Sequence, residues 1–154
     1  MFIAAAALTF AAAQVGAQSM EPREGWSVSP TTKSYADLVE ATKDAITGEG
    51  FGVVTEAGPT EAAAQRGVEI PGNRVIGAFN NVYAVRILEL SVPAMIEAPV
   101  RFYVTENEDG TAMLSYKLPS HVFAPYYDDA GEELETIAGE LDAAFAAIAE
   151  VAVN

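Results

Sequence analysis

The sequence predicts an α+β domain built on a single antiparallel sheet, with helices packed on one face. Three observations carry that reading. Residues 99–118 alternate as a hairpin: "PVRFYVTE" runs out, "NEDG" turns, and "TAMLSYKL" runs back. Several other segments place apolar residues at helical spacing between recognisable cap signals. The chain has 154 residues, 51% of them apolar, which excludes disorder and allows one core that needs no staples.

The first seventeen residues, "MFIAAAALTFAAAQVGA", carry no charge. That run is short of the roughly 20 apolar residues a spanning helix requires. It fits the apolar part of an export signal, with Val15-Gly16-Ala17 offering small residues at a cleavage point, although no Lys or Arg precedes it. Cleavage after Ala17 is expected, leaving 18–24 as a leader and 25–154 as the domain, in a periplasmic or secreted location. No cysteine is present, which removes disulfides, thiol nucleophiles, cysteine-ligated metals and lipoprotein anchoring. The net charge is −14, and no Lys or Arg follows Lys117. Such a surface repels phosphate backbones and anionic lipid, so neither nucleic acid nor, after signal cleavage, a membrane is expected as a partner.

In chain order, "WSVSPTT" reads as a first strand with Trp26 and Val28 on one face. "SYADLVEATKDAITGEG" reads as a helix capped by Ser34, with Asp37 three residues on and Gly48 or Gly50 at its end. "FGVVT" (51–55) is a second strand, and "TEAAAQRG" (60–67) a short helix capped by Thr60. Pro71-Gly72 suits a type II turn, with Gly72 at positive φ. "RVIGAF" (74–79) is a third strand, and "VYAVRILELS" a helix whose apolar stripe is Val82, Val85, Ile87 and Leu88, barred from continuing by Pro93. The hairpin puts Val100, Phe102 and Val104 on one face and Arg101, Tyr103 and Thr105 on the other; Ala112, Leu114, Tyr116 and Leu118 share a face of the return strand. Glu106, Glu108 and Asp109 read as solvated turn chemistry. "PSHVFAPYYDDAG" (119–131) reads as irregular. A long helix from about Gly131 to Val151 follows, with Leu134, Ile137, Ala138, Leu141, Phe145 and Ile148 in one stripe.

The segments "RVIGAFNN", "AVRILEL", "MIEAPVRFYV" and "DGTAMLSYKLPS", together with the upstream "GEGFGVVTEAG", resemble the domain of unknown function 302 family. The likeness spans residues 25 to about 125. It implies a TATA-binding-protein-like domain of β-α-β(4)-α topology, with no general biochemical activity attached. The family pattern carries Asn-Pro where this chain has Asn80-Asn81, so Asn80 is the matched position. Asn81 is left to cap the following helix.

The chemistry-bearing residues are few. Arg74, Arg101, Tyr103 and Tyr116 or Lys117 are expected on the sheet face away from the core, where they suit an anionic or aromatic ligand or a second subunit. Asn80, with Tyr83 beside it, marks a second candidate ligand edge. His121 is the only histidine; it is a candidate ligand contact, and the alternative of a haem- or metal-associated redox accessory rests on it. The run "DDAGEELE" lacks calcium-loop spacing and complements a helix N-terminus instead. A hydrolase using unrecognised carboxylates is a further alternative, but no nucleophile elbow, P-loop or dinucleotide motif is present. The expectation is a non-enzymatic binding or interaction module without cofactor, metal or catalytic residues, whose partner is a small molecule, a protein or a second copy.

Overall fold

The computed structural model describes residues 20–154; the expected signal and its cleavage point lie outside the described residues. Five strands alternate with helices: β1 (Trp26–Ser34), α1 (Tyr35–Gly48), β2 (Gly52–Ala57), α2 (Thr60–Ala64), β3 (Asn73–Phe79), α3 (Asn81–Leu90), β4 (Val100–Glu106), β5 (Thr111–Lys117), α4 (Pro119–Phe123), α5 (Tyr127–Ala130) and α6 (Glu132–Val153). Short 3₁₀ turns occupy Pro93–Glu97 and Ala124–Tyr126. The strands form one sheet in the order β1-β5-β4-β3-β2, antiparallel throughout. With α2 and α3 taken as insertions, the order is β-α-β(4)-α.

The core lies between one face of this sheet and the pair α1 and α6, which pack on each other. Its centre is aromatic. Phe145 of α6 stacks on Phe102 at 4.6 Å between ring centroids and meets Tyr116 at 5.7 Å and Phe51 edge-on at 6.0 Å. The α6 stripe is buried as its spacing requires: Leu134, Ile137, Ala138, Leu141, Phe145 and Ile148 are all shielded from solvent. Ser34 caps α1 through its Oγ, which accepts from the Asp37 amide at 3.2 Å and donates to the Asp37 carboxylate at 2.7 Å.

Several local expectations are corrected. Gly72 does not adopt positive φ. It is needed for close approach: a Cβ there would lie 2.4 Å from the Tyr35 ring, and the Gly72 amide donates to the Glu106 carboxylate at 2.6 Å. Glu106 is therefore an anchor between the hairpin and the β3 approach rather than a solvated turn residue. Thr60 does not cap α2; Pro59 holds that position, and the Thr60 hydroxyl accepts from the Asn73 amide at 3.1 Å. Of the expected α3 stripe only Ile87 is buried: Val82, Val85 and Leu88 are exposed, and Ala84 joins Ile87 on the covered side. With apolar residues nearly all round a ten-residue helix, the spacing offered two faces, and packing chose the one carrying alanine. Segment 119–131 is helical in short pieces, started by Pro119 and tied to α6 by the Ser120 amide, which donates to Asp142 at 2.9 Å.

Candidate functional site

The sheet face turned away from α1 and α6 is laid out in rows that cross the strands. The first row runs Trp26, Lys117, Arg101, Gly77, Thr55. Trp26 pairs with Lys117, Arg101 with Gly77, and Gly77 with Thr55. The register that sets Phe102 against Tyr116 and Tyr103 against Ser115 puts Lys117 opposite Arg101, one step beyond the last ladder pair. The second row runs Val28, Ser115, Tyr103, Val75, Ala57. Gly77 lets neighbouring side chains close over the middle of the first row: a Cβ there would meet Thr55 Oγ1 at 2.1 Å and the Pro99 ring at 2.8 Å, so those two groups fill the space above it.

Over these rows lies a groove of about 410 Å³, lined by Trp26, Asn73, Val75, Arg101, Tyr103 and Lys117, with Glu97 and Val122 among its other wall residues. Its volume falls in the range of about 300–1,000 Å³ typical of small-molecule sites. The Lys117 ammonium stands 5.7 Å from the centre of the Trp26 ring and the Arg23 guanidinium 5.3 Å from it, both within cation–π reach. Asn73 donates its side-chain amide to the Tyr103 hydroxyl oxygen, so the Tyr103 proton is left for another acceptor. Glu97 accepts from the Tyr126 hydroxyl at 2.8 Å, and that hydrogen bond to a carboxylate holds the phenol above its ordinary pKa. Burial pushes the Tyr116 phenol up as well.

The charges are unusual for this chain. Among the described residues, ion pairs engage Lys43, Arg74 and Arg86. Arg101 and Lys117 take part in none, although acidic residues outnumber basic ones 22 to 8. Like charges directly opposite on neighbouring strands destabilise a sheet, and a local conflict of this kind is the usual mark of a functional surface.

The expected ligand residues separate accordingly. Arg101 and Tyr103 lie on the groove. Tyr116 pairs with Phe102 and is buried on the helix side, touching the groove only from beneath. Arg74 pairs with Val104, so it projects to the opposite face from Arg101; there Glu56, at 2.6 Å, and Glu61 clamp it. Asn80 is the cap of α3, which corrects the assignment to Asn81: its Oδ1 accepts from the Val82 and Tyr83 amides at 2.9 and 3.4 Å, and its Nδ2 donates to the Gly50 carbonyl at 3.1 Å. Tyr83 stacks on Phe51. The cavity beside Asn80 and Tyr83 measures about 30 Å³, room for a water at most. His121 lies on α4 with its imidazole against the Gly25 backbone and does not line the groove.

Sequence reasoning left out Asn73, Glu97 and Val122, and it read Trp26 only as a strand residue. The alternation of β1 put Trp26 and Val28 on a common face; only the strand order brings that face beside Lys117. A second depression, of about 400 Å³ between α1 and α6, is lined by Ala41, Asp44, Ala45, Gly48, Glu49 and Val151 and offers carboxylates without a donor side chain. No cluster of three or more metal-ligating side chains occurs among the described residues, and none of their helices is long and apolar enough to cross a membrane.

The profile of the family described as "Domain of unknown function DUF302" matches residues 27–151. Among solved structures, the chain is similar to an uncharacterized conserved DUF302 protein from Bacillus stearothermophilus, with a TM-score of 0.74 and 19% identity, over 86% of this chain and 100% of that one. At that identity the likeness concerns the fold alone. No functionally curated protein matches the chain.

Proposed function

This chain belongs to the DUF302 family, whose description names no activity, and we propose from its open sheet face that it is an exported, non-enzymatic binding module for a small ligand. One observation carries the reading: an opposed, unpaired Arg101–Lys117 pair lines a groove of about 410 Å³ in a chain of net charge −14. A ligand supplying negative charge relieves a repulsion that folding alone leaves in place. The export half of the proposal rests on the uncharged opening segment and the small residues at Val15-Gly16-Ala17.

Native mass spectrometry of the protein after exposure to cell extract tests the binding half. A bound small mass that is lost in Trp26→Ala is expected. A bare monomer mass before and after exposure would sink the proposal. Export is read from the intact mass of the protein recovered outside the cytoplasm, which should begin at Gln18.

A further inference from the structure

We infer that the ligand of this groove is a small organic monoanion with a flat apolar body, an aromatic carboxylate by chemical class; this rests on the binding role proposed above. The acid group has a defined place. Arg101 and Lys117 stand opposite each other without a carboxylate partner, so one bridging anion satisfies both guanidinium and ammonium and removes their mutual repulsion. Tyr103, two residues along the same strand face, adds a third donor. Its oxygen is already occupied by the Asn73 amide, which leaves the hydroxyl proton to point elsewhere.

The number of charges follows from the walls. Two cations and one carboxylate, Glu97, line the groove, a balance of one positive charge. A monoanion neutralises it, whereas a dianion meets Glu97 as a repelling wall. Glu97 is not free to swing away, because the Tyr126 hydroxyl holds it at 2.8 Å. The lining also carries apolar surface: the Trp26 indole at the β1 end of the first row, Val75 on β3 across the groove, and Val122. A ligand that was all charge would leave that surface wet, and one that was all hydrocarbon would leave the cations unpaired. On the far side of Arg101 the groove is bounded where Thr55 and the Pro99 ring close over Gly77, which leaves the Trp26 side for the ligand's body.

Trp26 is the chain's only tryptophan, so its indole N–H is a single reporter inside the proposed site. Benzoate, its uncharged isostere benzamide, and acetate are titrated into the full-length protein, following that resonance by NMR. Benzoate is expected to shift it and to bind at least about tenfold more tightly than benzamide, the scale of one charge-assisted contact, and at least about tenfold more tightly than acetate, through the apolar area its ring buries. Added salt should weaken benzoate and leave benzamide unchanged. Arg101→Gln and Lys117→Gln should each weaken benzoate about tenfold while keeping the thermal midpoint.

Benzamide binding as tightly as benzoate would overturn the anionic class and leave the groove as a site for neutral molecules. Acetate binding as tightly as benzoate would overturn the apolar body. Unchanged benzoate affinity in both glutamine variants would overturn the bridging role of Arg101 and Lys117. A protein that sediments as a dimer with the Trp26 resonance insensitive to every probe would overturn the proposed binding role itself, because the face would then be a seam between two copies.

Discussion

Arg101 and Phe102 are neighbours on β4, yet Phe102 is fully buried while Arg101 is exposed. The same contrast runs across β5, where Tyr116 lies in the aromatic core and Lys117 faces the groove. Strand alternation produces both faces from one stretch of chain, so the difference teaches how the two are held. On the covered face each side chain is fixed by several packed partners, and the stacked rings of Phe102 and Phe145, with Tyr116 tilted against both, leave little room for change. On the open face, Arg101 and Lys117 are held by their strands and, among the described residues, have no carboxylate partner; Lys117 leans only on the Trp26 ring.

The largest expected effect breaks the covered face. Phe145→Ala removes the ring that Phe51, Phe102 and Tyr116 all contact. It should lower stability by about 3–5 kcal/mol, the usual range for a buried Phe cut to Ala. The paired measurement is Arg101→Gln on the open face, which should stay within about 0.5 kcal/mol of the parent. Urea denaturation of the two variants decides it. Equal losses would mean that the open face is packed in solution, and the contrast between the faces would fall.

A smaller effect is expected where β3 passes into α3. Asn80 makes three hydrogen bonds there, two as the helix cap and one to the Gly50 carbonyl. Asn80→Ala should cost about 1–2 kcal/mol. Asn80→Asp sharpens the assignment, because it keeps the cap acceptor and loses only the donor to Gly50; its loss should fall between parent and alanine. If Asn80→Ala left thermal stability untouched and abolished ligand binding, Asn80 would belong to the site and the cap would be incidental.

These residues also show what was legible in the sequence. The hairpin, the Ser34 cap and the α6 stripe follow from local rules: alternation, capping pairs and helical spacing each specify one answer. Asn80 and Asn81 are chemically identical candidates for one cap, and only the backbone at Asn80, extended at φ −130 and ψ 119, separates them. The outward turn of Val82, Val85 and Leu88 was hidden for a related reason, since α3 offers apolar residues on more than one side. Arg74 and Arg101 seemed companions by type, but pairing of β3 with β4 sends them to opposite faces. The groove was the least legible feature. It joins Trp26 at the start of β1 to Lys117 at the end of β5, a neighbourhood created by strand order alone.

The smallest effect concerns the turn that sets the register of both faces. Slipping β4 against β5 by one residue would turn a whole set of core side chains outward, and the "NEDG" turn resists that slip. Asp109 accepts from the Thr111 hydroxyl at 2.6 Å and from the Thr111 amide at 3.0 Å. These bonds, the hydroxyl one first, favour the carboxylate and lower its pKa from the ordinary 3.8. A depressed folded pKa stabilises the fold above the unfolded value, and that contribution is lost as pH falls through the folded value. Asp109→Asn removes the titration and keeps one oxygen acceptor. The thermal midpoint of the parent should therefore exceed that of the variant by a constant small margin from neutral pH down to the ordinary Asp value, and the margin should shrink at lower pH. Subtracting the variant cancels the other carboxylates that titrate in the same window, Glu140 beside Arg86 among them. A margin that did not change with pH would mean that the Asp109 charge plays no part and that the turn holds its register by other bonds, among them the Asn107 amide to Thr111 and the Gly110 amide to Asn107.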